Sequence, residues 1–309
     1  MRYVAFGPDR RKVSTVMLGL MRVDDVDAKR LSSFLHTALD LGINALDTAD
    51  IYAGGKSERL LGEVFSAEPG LRDKFFLQTK VGIHRTEKLT YFDFSHDYIV
   101  SATKASLERL GLPYVDSLLL HRPDILMEPS EVAGAFQELH AQGLVRDFGV
   151  SNQNPATMRR LQSALPLPLC ANQVQLSIAF APAYEAVVNA NMENQAACMR
   201  DGGIFEYAAL NDQVIQTWST FQYGYFEGTF LNNPRYQQLN DTLDELAPKY
   251  GVSKAALCVA WNLRHPAKVQ AIVGTMNPQH LADLAAGADV DLSREDWYRL
   301  YLAAGRQLP

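Results

Sequence analysis

The chain reads as an α/β protein folded as a closed (β/α)8 TIM barrel. Three observations predict this. Short apolar runs alternate with longer amphipathic stretches eight times along the 309 residues. The runs show little polar alternation, as expected of parallel strands buried on both faces. The competing fold, an open doubly wound sheet, places GxGxxG after its first strand when it binds a dinucleotide. The first run here ends instead in Leu18-Gly19-Leu20-Met21. Alternation repeated eight times fits a barrel, which commonly closes within ~250 residues.

Taken in order, Arg2–Ser14 carries a Gly-Pro-Asp turn and reads as an N-terminal β-hairpin ahead of the barrel. The strands are expected at Val16–Leu20, Ile43–Asp47, Phe75–Lys80, Ser117–His121, Val145–Ser151, Leu169–Gln175, Gln213–Trp218 and Val269–Gly274. Leu31, Phe34, Leu35, Ala38 and Leu39 form a helical stripe stopped by Gly42. Leu239, Leu243, Leu246, Ala247 and Tyr250 form another, stopped by Gly251. Further helices are expected to begin near Ser57, His96, Pro129, Pro155, Ser253, Pro278 and Ser293. Three of these starts are prolines, which suit a first helical turn. An enlarged segment, Ala179–Asn211, lies between strands six and seven. It is expected to lay an extended loop and a helix over one mouth of the barrel, as a lid. No linker or charge block divides the chain, so residues 1–309 are read as one domain.

Composition narrows the function. Apolar residues make up 47% of the chain, enough for a large core, and the net charge is −6. A nucleic-acid binder usually shows a basic stripe; the basic clusters here are short, Arg10-Arg11-Lys12 and Arg159-Arg160. Cys170, Cys198 and Cys258 are odd in number and lack CxxC spacing. They indicate a reduced, cytoplasmic protein without a metal site. No apolar run reaches the ~18 residues of a membrane span. The first residues, Met1 to Val13, lack the apolar stretch of a signal peptide.

Barrel chemistry gathers at the C-terminal ends of the strands. The second expected strand ends in Asp47, with Tyr52 five residues on; the third ends in Lys80 and the fourth in His121. Singly, each has an ordinary explanation: a helix cap, a surface lysine, loop packing, a structural histidine. Together they make a chemical set. Asp and Lys can pair in a partly buried mouth. A cation beside a phenol is expected to lower its pKa from about 10. A histidine nearby can orient a carbonyl oxygen. The set is a phenolic general acid suited to carbonyl reduction, in which negative charge develops on oxygen.

The ordered segments Asp47-Thr48-Ala49-Asp50-Ile51-Tyr52, Gly55-Lys56-Ser57-Glu58, Gly149-Val150-Ser151-Asn152 and Asn172-Gln173-Val174-Gln175 resemble the signature of the aldo-keto reductases. The resemblance runs from Val16 to Ala288, and the closing segment from Trp297 resembles a bacterial oxidoreductase branch. It implies an NAD(P)H-dependent oxidoreductase that reduces aldehydes or ketones to alcohols. Asp47, Tyr52, Lys80 and His121 match the catalytic tetrad, with Tyr52 as proton donor. Ser151, Asn152 and Gln173 match the polar set that binds the nicotinamide carboxamide. Trp218 matches the aromatic that stacks on the ring. Leu20 and Met21 fall where the first strand meets the cofactor. Ser219, Thr220 and Phe221 fall on the pyrophosphate loop, although Thr220 and Gln222 replace the family's usual Pro and Gly. Gly274, Thr275 and Asn277 lead into a helix N-terminus, a natural phosphate site.

The family favours NADP(H). Relatives that use it carry Lys or Arg in the segment matching Gly274–Leu284; here His280 is the only candidate there. NAD(H) therefore stays possible, as does a more distant basic residue such as Arg235. The substrate pocket is expected to use Met21, Tyr91 and Tyr223, with further aromatics in the same loops, giving a mouth for a small, apolar carbonyl compound. Two other readings compete. A nucleotide-sensing subunit of the same fold would need little turnover, although the intact tetrad opposes it. A hydrolase would need two facing carboxylates, and only Asp47, with Asp50 on its loop, is so placed.

Overall fold

The computed structural model describes residues 1–23 and 25–309. Strands β1 (Tyr3–Phe6) and β2 (Arg11–Ser14) form the expected antiparallel hairpin. Gly7 at its turn has φ +67°, and a Cβ there would sit 2.6 Å from a carboxylate oxygen of Asp147. The turn therefore needs glycine on two counts. Arg11 on β2 pairs with Asp116 and Asp147 beneath the barrel, and Arg72 joins Asp116 from the side. The hairpin is thus a plug, fixed by partly buried ion pairs.

The barrel follows as β3 (Val16–Gly19), β4 (Ala45–Asp47) and β5 (Phe76–Val81). A short hairpin, β6 (Ile83–Arg85) and β7 (Thr90–Phe92), then interrupts it. β8 (Val115–Leu120), β9 (Val145–Ser151), β10 (Leu169–Gln175), β11 (Val214–Trp218) and β12 (Val269–Val273) complete it. The order β10-β11-β12-β3-β4-β5-β8-β9 closes on itself, every pair parallel. β9 and β10 match their expected bounds; the others differ by one or two residues at one or both ends, and His121 lies one residue past β8.

Helices α1 (Ala28–Asp40), α2 (Lys56–Ala67), α3 (His96–Leu110), α4 (Pro129–Ala141) and α5 (Pro155–Gln162) surround the first part of the barrel. α6 (Pro182–Val188) and α7 (Ile204–Leu210) come from the enlarged segment. α8 (Gln237–Tyr250), α9 (Lys254–Leu263), α10 (Pro278–Ala286) and α11 (Arg294–Ala303) complete the set. The starts follow the sequence signals: Asn154, Ser253, Asn277 and Ser293 each accept a hydrogen bond from the first turn, and Pro129, Pro155 and Pro278 open their helices. The stripe Leu31, Phe34, Leu35 and Ala38 is buried, as is Leu239, Leu243, Leu246 and Ala247.

The lid expectation is corrected. No residue of Ala179–Asn211 lines the cavity in the barrel mouth. Tyr184 and Phe205 are instead buried against His265, and Tyr184 also meets Trp261 of α9 and Trp297 of α11. Arg306 ties the same segment to the C-terminal tail through Glu185. Burial of these aromatics holds α6 and α7 on the flank of the barrel. Among the described residues, no helix is long and apolar enough to cross a membrane.

Candidate active site

The segment after β4 is built to hold one phenol. Its backbone turns through Ala53, Gly54 and Gly55, all in the left-handed region at φ 47°, 62° and 82°. Ala53 is strained there, and such strain persists only where surrounding contacts fix it. Those contacts come from the start of α2. Ser57 Oγ donates to the Leu20 carbonyl and lies 2.8 Å from Thr48 Oγ1. Buried Glu58 accepts from Thr79 Oγ1 on β5 at 2.6 Å and from Arg109 Nε on α3 at 2.7 Å. Gly62 lets α2 and α3 approach closely, since a Cβ there would meet the Arg109 carbonyl at 2.7 Å.

The loop delivers Tyr52 to Lys80. The Lys80 ammonium, fully buried, donates to Asp47 Oδ2 at 2.7 Å, to the Thr48 carbonyl at 2.8 Å and to the Tyr52 hydroxyl at 3.1 Å. Its three protons thus have three acceptors. His121 stands edge-on to Tyr52, with ring centroids 5.8 Å apart. Its Nδ1 is buried and has no hydrogen-bond partner among the described residues.

The electrostatics correct one expectation. Burial raises the Tyr52 pKa above its ordinary 10, and the opposing pull of Lys80 does not cancel it. Tyr52 therefore holds its proton at neutral pH. Lys80, 3.1 Å from the hydroxyl, is placed where a cation would stabilise a phenolate. Burial alone would depress Lys80, but Asp47 and Tyr52 outweigh it and its pKa rises. Burial, with Lys80, Arg122 and Arg85 nearby, holds His121 well below 6.5 and so neutral.

Beneath these groups lies a chain of buried glutamines, of which the sequence reading singled out Gln173 but not Gln78, Gln216 or Gln270. Gln78 and Gln173 both donate to Asp47 Oδ1, at 2.8 and 2.9 Å. Gln216 accepts from both and donates to Gln270, which donates to the Ser14 carbonyl of the hairpin. The signal was strand parity. Gln78 lies two residues before Lys80, and Gln216 two before Trp218, so each shares an inward face with a mouth residue.

The cavity above has a volume of about 580 Å³, within the range of small-molecule sites. Asp47, Tyr52 and His121 lie on one side of its wall; Lys80 supports them from below. Ser151, Asn152, Gln173 and Trp218 converge on the other. Ser151 Oγ donates to the Gln173 carbonyl, Asn152 Nδ2 to Ser151 Oγ, and Trp218 Nε1 to Asn152 Oδ1 at 3.3 Å. Met21, Ser219, Thr220, Phe221 and Gly274 also reach the cavity. Leu20 is buried behind it, while Thr275 and Asn277 stand outside its wall, the latter capping α10.

Two expected substrate residues do not reach the cavity. Tyr91 points away, stacked on His84 at 4.7 Å with its hydroxyl 2.9 Å from His84 Nδ1. Strand alternation places its neighbours Thr90 and Phe92 in the wall instead. The Tyr223 hydroxyl donates to the Glu227 carbonyl, and its ring packs on Tyr236. Tyr225 and Phe226 take the cavity position, both within 6.3 Å of the Trp218 ring centroid. The three cysteines are free, and among the described residues no cluster of His, Cys, Asp or Glu is placed to hold a metal.

Asp50, on the Tyr52 loop, gives a prediction. Among the described residues its Oδ1 is buried without a partner; burial first, and Glu58 second, raise its pKa to about 7 against the opposing pull of Arg109 and Lys80. A carboxyl raised on folding binds more protons folded than unfolded, so it lowers stability as pH rises from about 4 to about 7. Asp50→Asn is expected to gain stability over wild type, more at pH 8 than at pH 5, in urea midpoints. An equal change at both pH values would remove the assignment.

Comparison with known proteins identifies the family. The chain is 31% identical over 310 residues to 6-dehydroglucose reductase of Agrobacterium fabrum, covering 97% of each chain. It is 34% identical over 309 residues to 6-dehydroglucose reductase of Novosphingobium aromaticivorans, covering 96% of this chain and 94% of that one. Among solved structures, an aldo-keto reductase from Klebsiella pneumoniae in complex with NADPH superposes with a TM-score of 0.76 at 25% identity, covering 97% of this chain and 93% of that one. The model of the aldo/keto reductase family matches residues 15–301. With that match spanning barrel and mouth alike, the chain belongs to the aldo/keto reductase family of oxidoreductases.

Proposed function

We propose that this protein reduces small aldehydes or ketones to alcohols with NADP(H), with Tyr52 as the proton donor. One observation carries the reading: a fully buried lysine spans a carboxylate and a phenol at the floor of a cavity large enough for a small molecule. Burial keeps the phenol protonated until charge develops beside it, and the lysine stabilises the phenolate that results.

The residues present fit a nicotinamide. Ser151, Asn152 and Gln173 offer polar atoms on one wall, and the half-buried Trp218 offers a ring face. Asn152 and Ser219 hold left-handed backbone at φ 57° and 56°, which turns the chain out of β9 and β11 toward the cavity. Gly274 opens the β12 side, where a Cβ would meet nothing within 4 Å. A bound NADPH supplies the hydride, which no side chain here can donate. The protein's part is to orient and to move one proton. Neutral His121 donates a hydrogen bond to the carbonyl oxygen. Tyr52 gives its proton to the same oxygen, and Lys80, anchored by Asp47, stabilises the phenolate left behind. The Klebsiella neighbour, in complex with NADPH, supports NADP(H) for this chain.

Discrimination against NADH is expected to be narrow. Residues 274–284 contain no Lys or Arg, and Asp283 adds a negative charge. A 2′-phosphate held by neutral donors gains only about 1 kcal/mol per hydrogen bond, roughly fivefold. Quenching of tryptophan fluorescence is expected to saturate with both nucleotides, with Kd for NADPH lower by less than about tenfold. Binding by neither would overturn the reductase reading; a ratio above a hundredfold would point to a cationic partner elsewhere, with Arg235 the first to test. A panel of carbonyl compounds, followed by nucleotide absorbance, then tests turnover directly.

A further inference from the structure

Three arginines line the cavity: Arg22 after β3, Arg85 on the β6 strand and Arg122 after β8. Among the described residues the wall contains one carboxylate, Asp47, and that group is held by Lys80, Gln78 and Gln173. Among the described residues, none of the three arginines forms an ion pair. Arg122 instead lies over the Trp218 and Tyr225 rings, 5.4 and 5.3 Å from their centroids. Rings hold a guanidinium by its face and leave its N–H edge free to donate. A chain with a net charge of −6 thus opens its cavity through a positive mouth.

The placement sets this charge across the mouth from the expected phosphate sites, with Arg122 also bordering the nicotinamide wall at Trp218. In the barrel order, β5 stands opposite β11, and β8 opposite β12. Arg85 and Arg122 follow β5 and β8, on the side that carries Lys80 and His121. The phosphates of a dinucleotide are expected across the mouth, at Ser219–Phe221 and Gly274. The same two arginines act on the reacting groups: both help to hold His121 neutral. Guanidinium edges match carboxylate and phosphate oxygens in pairs, and unpaired positive charge in a recessed mouth attracts anions.

We infer that the substrate is a carbonyl compound carrying an anionic group, held by Arg85 and Arg122 while its carbonyl reaches Tyr52 and His121. This rests on the reductase reading and names the substrate class for that site. It also replaces the apolar compound expected from the aromatic residues alone.

The test compares kcat/KM for matched compounds with NADPH: succinate semialdehyde against butanal, and glyceraldehyde 3-phosphate against glyceraldehyde. The acidic member of at least one pair is expected to lead by tenfold or more, and its KM to rise with added salt while that of the neutral member does not. Which pair shows the larger ratio distinguishes carboxylate from phosphate. Arg85→Gln and Arg122→Gln are each expected to collapse the acid-to-neutral ratio by tenfold or more, with Arg122→Lys restoring part of it. Reduction of neutral and acidic members with equal kcat/KM, or a lead for neutral glyceraldehyde over both acids, would overturn the inference and leave the reductase reading standing. Reduction of none of the four, despite nucleotide binding, would overturn both.

Discussion

Tyr52→Phe is expected to lower kcat for carbonyl reduction by about 10³-fold or more while nucleotide still quenches tryptophan fluorescence. The substitution removes one hydroxyl. Lys80 keeps two of its three acceptors, Asp47 Oδ2 and the Thr48 carbonyl, so the buried ion pair survives. The ring keeps its place beside His121. What is lost is a group with both a proton to give and a cation behind it to stabilise the resulting anion. Neutral His121 still donates a hydrogen bond, so substrate affinity is expected to change far less than kcat. A wild-type kcat in this variant would show that the proton comes from elsewhere. Wild-type nucleotide binding with near-zero turnover would also exclude loss of the fold as the cause. For the sensing alternative, the comparison is equally direct: a subunit that only binds nucleotide has no turnover for the mutation to remove.

Much of this site was legible because barrels expose it by rule. Asp47 ends a strand, Lys80 stands one residue before a strand end, His121 follows a strand, and Tyr52 follows one by a short loop. Their convergence needed only the strand order. Features that depend on distant partners were not legible. Tyr184 carries no local sign that it will pack on Trp297, more than a hundred residues later. The flank position of Ala179–Asn211 was therefore hidden, and a long segment was read as a lid. The β6–β7 hairpin was hidden for a different reason: its strands are three residues each, within an exposed polar loop. It decides which of Tyr91 and Phe92 faces the cavity. The sign of the Tyr52 shift was hidden too. Sequence shows which charges are neighbours, but not how much water folding removes around them.

Lys80→Met separates the two roles assigned to the buried lysine, and both effects are expected to be large. The first is structural. Asp47 stays buried with Gln78 and Gln173 as donors but without its cation. Removing one member of a buried pair costs about 3–5 kcal/mol. The two amide donors offset part of this, so the loss at pH 7 is expected near the lower figure, read as a fall in urea midpoint. The second is catalytic. Without a cation the phenolate of Tyr52 loses its stabilisation, and kcat is expected to drop by about 10² or more. The pH dependence tells them apart. Lys80 is raised above 10.5 on folding, so its stabilising effect is complete below that pH and is lost as pH climbs through the folded value. Tyr52, raised above 10, acts in the same direction, since the unfolded phenol ionises first. Wild type is therefore expected to lose stability steeply above about pH 10, and Lys80→Met to start lower but fall less steeply. Lys80→Arg keeps the charge in a different shape and is expected to recover stability before activity. If Lys80→Met kept most of its activity with an unshifted pH profile, the ammonium would be holding Asp47 in place without assisting the phenol.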